Sequence, residues 1–331
     1  MQYRVFGKTG WKVSEIGFGG ARIGGLLARD GGRKASLATL AAALDAGINF
    51  YDTADMYSQG ESEILIGKAF RKSRDKVFIA TKGGYCTPAG KKLIQFLKPL
   101  AKPVVQALGL RRMGGPSSTA GLVPQDFTPG YLRQAAEASL RRLQTDYIDL
   151  YQMHSPSSEM LRSAQFQEAL GQLARLKTEG KIRHFGIALD AVGDARHCFG
   201  LEGISSLQIP FGILDLEARE GAFEEVTKHE LGIIARGCFA GGALKETLTE
   251  NELRSSEPKW ERVLKLRRIV EQMGRSTTEA ALQFSLRERR IGVTIIGMRT
   301  LEQLTANLRH YASPPLSDEE FHRLLTASAS A

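Results

Sequence analysis

Four residues of different chemistry each end or closely follow an apolar, strand-like run: Asp52 and Tyr57 in GINFYDTADMYSQGESE, Lys82 in KVFIATKGG, and His154 in DYIDLYQMH. A carboxylate, a phenol, an ammonium and an imidazole can together form a proton-transfer site. A phenol with its ordinary pKa near 10 is a poor proton donor at neutral pH, and a neighbouring ammonium that favours phenolate lowers it. Lys82 is suited to that task. A partly buried ammonium needs a counter-ion to stay protonated, and Asp52 on an adjacent strand can supply one. A neutral imidazole donates a hydrogen bond that orients a carbonyl oxygen, the work open to His154. Such a group can protonate an oxygen while hydride reaches its carbon.

Each residue alone has an ordinary role. An Asp before a loop is commonly a turn residue or helix cap, Tyr57 a loop aromatic, a strand-ending Lys solvated, and a lone His a structural residue. Their common placement at strand C-termini separates the two readings, because α/β barrels assemble active sites at that edge.

The elements that must carry them follow from the apolar pattern. Short, nearly continuous apolar runs at Ser14–Phe18, Ile48–Asp52, Val77–Lys82, Ile148–His154, His184–Leu189, Ser205–Pro210, Gly232–Gly237 and Val293–Met298 read as strands buried on both faces. Between them, Leu132, Ala136, Leu140 and Leu143 recur at helical spacing, as do Phe166, Ala169, Leu170 and Leu173, and Leu301, Leu304 and Leu308. Strand then helix, repeated, predicts an α/β chain of the (β/α)8 TIM-barrel class, with a short N-terminal β-hairpin and a long insertion after the third strand. Period two places Ile48, Phe50 and Asp52 on one face, likewise Phe78, Ala80 and Lys82, and Ile148, Leu150, Gln152 and His154, aiming each polar residue at the barrel mouth. A doubly wound sheet is disfavoured because GFGGARIGG does not spell GxGxxG and lacks a well-placed acidic partner.

At 331 residues with 42% apolar content, the chain can bury a sizeable core, and residues 1–331 are expected to form a single barrel domain. No apolar stretch is long enough to span a bilayer, and MQYRVFGKTGWKVSE is too polar for a secretory signal, which predicts a cytoplasmic protein. Cys86, Cys198 and Cys238 show no metal-type spacing and are odd in number, so no metal site and no disulfide framework is expected. The net charge of +9 suits an anionic ligand. Without zinc-finger spacing, an RNA-recognition signature or basic runs interleaved with aromatics, a phosphate-rich small molecule is preferred over nucleic acid.

The ordered segments YRVFGKTGWKVSEIGFGG, GINFYDTADMY, VFIATKGG, DYIDLYQMH, GKIRHFGI and IIGMRTLEQLTANL closely resemble the aldo-keto reductase superfamily over nearly the whole chain. The resemblance implies a (β/α)8 barrel that binds NADP(H) without a Rossmann motif, and a catalytic tetrad falling on Asp52, Tyr57, Lys82 and His154. Tyr57 is then the general acid/base, tuned by Lys82 and Asp52, with His154 orienting the carbonyl. It also implies cofactor contacts at Gly20, Ala21, Asp52, Gln208, Phe211, Arg236, Gly237, Ala240, Gly242, Gly297, Arg299, Gln303 and Asn307. Gln208 matches the amide-binding glutamine, Phe211 stands where an aromatic stacks on the nicotinamide, and Arg299 with Gln303 and Asn307 resembles the adenosine 2′-phosphate site. Four positions depart from the pattern, Phe211 among them because a tyrosine usually stands there. Ala188 and Leu189 replace the Ser-Asn pair that holds the carboxamide, and Cys238 replaces a proline in the pyrophosphate loop GIIARGCFAGGALK.

The implied activity is hydride transfer between NADP(H) and an aldehyde, ketone or sugar hydroxyl, a small-molecule substrate for a monomer or homo-oligomer. The alternative is a weakly catalytic, NADPH-binding regulatory subunit. The insertion, residues 85–127, carries Lys91, Lys92, Lys98, Lys102, Arg111 and Arg112 with no acidic residue between Tyr85 and Pro124. It is expected over the active-site mouth as a substrate lid; membrane-surface attachment through 85–124, or a decoration packed on the barrel, are the other readings.

Overall fold

A computed structural model describes residues 1–24, 32–86, 123–256 and 259–329. Eight parallel strands close into a barrel: β3 (Ile16–Gly19), β4 (Phe50–Asp52), β5 (Phe78–Gly83), β6 (Ile148–His154), β7 (Ile182–Ala188), β8 (Ile204–Pro210), β9 (Gly232–Arg236) and β10 (Val293–Gly297), which returns to β3. Ahead of them, β1 (Tyr3–Val5) and β2 (Lys12–Ser14) pair antiparallel as the expected hairpin. The run Ser14–Phe18 is therefore divided between two sheets. Ser14 ends the hairpin and Ile16 starts the barrel. Buried Glu15 lies between them, 2.7 Å from Arg4 and accepting from the Tyr311 hydroxyl at 3.1 Å.

The hairpin plugs the N-terminal end of the barrel. Phe6 and Val13 join Phe50, Ala80, Leu150, Ile234 and Val293 in an interior cluster separate from the core beneath the helices. Trp11 closes it from below, stacked on Phe78 at 4.9 Å and edge-on to His184 at 4.8 Å. Gly232 and Gly292 make room for this plug, since a Cβ at either would come within 2.6 Å of the Phe6 ring. With one end filled, polar side chains on the interior faces converge on the other.

The helices pack their apolar stripes against the outer strand faces. Helix Pro129–Leu143 is capped by Thr128 and buries Leu132, Ala136 and Leu143; helix Ala164–Thr178 is capped by Ser163 and buries Phe166, Ala169, Leu170 and Leu173. In helix Leu301–Ala312 only Leu304 of the leucine stripe is fully buried, and Leu301 is 48% exposed. Two inward assignments are corrected. Ile48, which precedes β4, and Ile148, on the first rung of β6, pack with the core beneath the helices rather than with the interior cluster of Phe50 and Leu150.

Most of the insertion lies outside the described residues, and with it the expected lid, surface contact or decoration. Its two ends do meet. Tyr85 and Gln125 form an antiparallel bridge, with hydrogen bonds from Cys86 N to Pro124 O and from Asp126 N to Gly84 O, both 2.8 Å. No helix among the described residues is long and apolar enough to cross a membrane.

Candidate active site

The interior faces of β4, β5, β6, β8 and β9 end in Asp52, Lys82, His154, Gln208 and Arg236. The register pairs His154 with Ala188 and Ala188 with Gln208, while Lys82 lies opposite Gln152 and Asp52 opposite Ala80, all toward the C-terminal end of the barrel. Lys82 Nζ donates to both carboxylate oxygens of Asp52, at 2.8 and 2.7 Å, and to the carbonyl of Thr53 at 2.7 Å. Asp52 also accepts from Gln208 Nε2 at 3.2 Å. The Lys82 ammonium lies 5.0 Å from the centre of the Tyr57 ring, and the Tyr57 and His154 rings meet edge-on at 5.7 Å. The tetrad residues separated along the chain thus come together.

Burial dominates the electrostatics. It pushes the Tyr57 phenol above its ordinary value and outweighs the downward pull of Lys82. The lysine acts in the expected direction, but without reversing the net shift, so the phenol holds its proton at neutral pH. Burial also raises the Asp52 carboxyl, opposed by the Lys82 charge and the hydrogen bonds from Lys82 and Gln208. It works against the Lys82 ammonium, yet Asp52 and Tyr57 more than offset it and the lysine titrates above its usual range. His154 is driven well below the ordinary histidine value by burial first and by the Lys82 and Arg236 charges next. Its imidazole is neutral, as the sequence chemistry requires.

Tyr57 is presented by a strained turn. Ser58, Gln59 and Gly60 follow it with φ of 49°, 62° and 87°, three successive left-handed residues of which only one is glycine. Ser58 Oγ anchors the turn by donating to Ile23 O at 2.8 Å. Beneath it lies a buried acidic group: Glu63 accepts from Thr81 Oγ1 at 2.6 Å and from Arg142 Nε at 2.5 Å, and Asp55 donates its backbone N–H to Lys82 O at 3.1 Å. Burial, and then Glu63, raise the Asp55 carboxyl to about 7.

Several residues at the mouth carried no sequence signal. The ring of Tyr85 meets His154 edge-on at 4.9 Å, and Gln125 Nε2 donates to His154 O and Ser155 O, both at 2.9 Å. These contacts cross the closed ends of the insertion, which no periodicity reveals.

The other expected contacts separate into distinct environments. Gly20 is a packing glycine, since a Cβ there would lie 2.8 Å from Ser62 Oγ and 2.9 Å from Asp52 O; Ala21 beside it is exposed. Arg236 donates to Leu189 O at 2.8 Å and to Asp190 at 2.7 Å. Gly237, Ala240, Gly241 and Gly242 all have left-handed φ, and added Cβ atoms at Gly237 or Gly241 would meet nothing, leaving an open loop surface. Cys238 inside that loop is buried, its thiol pushed up to about 12, and serves as a small apolar filler. Gly297 is open at the end of β10. Next to it, Thr300 caps helix Leu301–Ala312, and Gln303 turns its amide oxygen back to Arg299 N at 2.8 Å, while Asn307 is mostly buried.

Phe211 requires a correction. Its ring is fully buried in the helical layer, against Phe223 at 5.1 Å and Phe284 at 6.1 Å, and offers no face to the mouth. Gln208 faces inward, so the residue three further along emerges on the opposite face.

Residues 15–328 match the model of the Aldo/keto reductase family. The chain is 28% identical over 324 residues to the aldo-keto reductase YhdN of Bacillus subtilis, covering 92% of this chain and 87% of that protein. It is 26% identical over 332 residues to the uncharacterized oxidoreductase YqkF of the same organism, covering 98% and 95%. Among solved structures, it is similar to an aldo-keto reductase of Bacillus halodurans in its holo form, with a TM-score of 0.80 and 26% identity over 100% of this chain and 97% of that one. A glycerol dehydrogenase of Gluconobacter oxydans shares the fold with a TM-score of 0.73 at 24% identity, covering 96% and 92%. A closed parallel barrel, a buried acid–lysine pair below a phenol and an imidazole, and a family match over nearly the full length lead to one assignment: this chain belongs to the aldo/keto reductase family of oxidoreductases.

Proposed function

We propose that the protein is an NADP(H)-dependent enzyme interconverting a small carbonyl compound and its alcohol, with Tyr57 as general acid/base. The observation that carries this is the stacked arrangement of the Asp52–Lys82 pair, Tyr57 and neutral His154 at the open end of the barrel.

The residues present fit a nicotinamide dinucleotide. The loop Gly237–Gly242 leaves open space at Gly237 and Gly241, with the Arg22 guanidinium donating to Gly241 O at 3.4 Å, a surface suited to lie against a pyrophosphate. Arg299, just ahead of a helix N-terminus, suits a ribose phosphate, with Asn307 and the Gln303 amide on the helix that follows. Gln208 offers a side-chain amide beside the Asp52–Lys82 pair, where Ala188 and Leu189 offer none. A nicotinamide held there supplies or accepts the hydride.

The chain's own residues then handle the proton. His154 donates a hydrogen bond to the carbonyl oxygen, fixing it beside Tyr57. Tyr57 passes its hydroxyl proton to that oxygen as charge develops, and the Lys82 ammonium below stabilises the phenolate left behind. Asp52 keeps Lys82 charged throughout. In the reverse direction the phenolate removes the alcohol proton. The raised Tyr57 value favours the protonated, carbonyl-reducing form at neutral pH.

An initial-rate screen of aldehydes and ketones with NADPH and NADH, and of alcohols and sugars with NADP+ and NAD+, tests the proposal. Turnover with NADPH preferred over NADH is the expected result. Tight NADPH binding without turnover of any carbonyl would instead identify a cofactor-binding regulatory subunit, the role that the missing carboxamide contacts at Ala188 and Leu189 would suit.

A further inference from the structure

Gln152 is fully buried inside the barrel, one layer below His154 on β6. Among the described residues it makes a single hydrogen bond, from Nε2 to Gln208 Oε1 at 3.3 Å, while its own oxygen has no partner. The bond joins β6 to β8 and passes over β7, whose inward residues there are Gly186 and Ala188. Gly186 packs closely on the neighbouring strand, where a Cβ would come within 2.2 Å of Ser206 Oγ. A polar side chain buried with half of its amide unsatisfied weakens a core, so Gln152 needs a reason other than stability.

We infer that Gln152 is a positioning residue that sets the direction of a chain of amides ending on the catalytic carboxylate. Asp52 can only accept, so Gln208 must turn its nitrogen toward it, and Gln208 Oε1 then faces the opposite way. Gln152 Nε2 donates to that oxygen and holds the amide in this orientation. The result is a third hydrogen bond on Asp52 beside the two from Lys82. Spreading the carboxylate charge over three hydrogen bonds, one of them from a neutral amide, leaves more of the Lys82 field acting on Tyr57. Without Gln152 the Gln208 amide is free to turn away, Asp52 neutralises Lys82 more completely, and the Tyr57 phenol is harder to ionise.

The consequence for catalysis rests on the proposed role of Tyr57, so the test reads ionisation independently of turnover. Gln152→Met conserves volume and removes the amide. With 3-fluorotyrosine, a more acidic phenol, placed at position 57, fluorine NMR follows its titration in otherwise wild-type protein and in the Gln152→Met variant. A hydrogen bond to a charged group is worth about one to two decades, and the part reaching Tyr57 through Lys82 is about half a pH unit or more, upward. Thermal midpoint is measured alongside and is expected to stay level or rise. In a Gln208→Met background, Gln152→Met should move the titration no further. A lower midpoint with an unmoved titration would overturn the inference and make Gln152 an ordinary core residue. A moved titration in a protein that turns over no carbonyl substrate would uphold the inference and sink only the enzymatic proposal.

Discussion

Asp55 makes stability depend on pH in a direction opposite to ordinary surface carboxylates. Its carboxyl rises from 3.8 to about 7 because it is buried next to Glu63, and Arg142 and Lys82 only partly compensate. Between these values the folded protein keeps a proton that the unfolded chain has lost, so stability falls as pH climbs through the window and the full cost is present above about 7. Asp55→Asn keeps the shape and an oxygen able to accept from Met56 N–H, but removes the ionisation. A shift of about 3 units at 1.36 kcal/mol per unit gives about 4 kcal/mol in favour of the variant above pH 8, and almost nothing below pH 4. For a chain of this size that is roughly 8 °C in Tm, taking about 2 °C per kcal/mol. Calorimetry of both proteins at pH 4, 5, 6, 7 and 8 should give Tm curves that coincide in acid and diverge steadily toward pH 8. A constant offset, or a variant that is weaker at pH 8, would refute the assignment of Asp55 as a buried group forced to ionise.

Three further outcomes follow from the same geometry. Tyr57→Phe should lower kcat by about 10²–10⁴-fold while NADPH still binds, since only proton transfer loses its partner; an unchanged kcat with an aldehyde would remove Tyr57 from the mechanism. Arg299→Ala should weaken NADPH by roughly one to two decades and NADH far less, as read by fluorescence titration, and equal losses would count against a phosphate contact. Gly83→Ala places a methyl 2.0 Å from the Tyr151 hydroxyl and 3.4 Å from Ala135; it should cost about 1–3 kcal/mol by denaturation, and a neutral result would mean that Tyr151 can swing away.

The strand candidates were legible because each buried run is short and locally bounded. Ile148–His154 is an element over the full stretch, and Val77–Lys82 and Gly232–Gly237 differ from β5 and β9 by a residue at one or both ends. Ser14–Phe18 failed as one element because an apolar run carries no mark where a chain leaves one sheet for another. The convergence of Asp52, Tyr57, Lys82 and His154 was legible from their positions at or just beyond strand ends, whereas Tyr85 and Gln125 reach His154 only because the ends of a long excursion pair with each other.

Residue order alone specified the alternation of strands and helices and the side-chain types gathered at one edge of the barrel, because both depend on neighbours a few positions apart. Tertiary structure decided what those side chains experience. In a parallel barrel both strand faces are apolar, so hydrophobicity cannot say which residue looks inward; Phe211 turned outward and Ile48 into the helical layer for that reason. The protonation state of Tyr57 was equally out of reach, because the Lys82 charge and the loss of water oppose each other and only the packed depth of the site makes burial the larger. The bond from Gln152 to Gln208 is likewise a relation between residues 56 apart that only the closed barrel brings within reach.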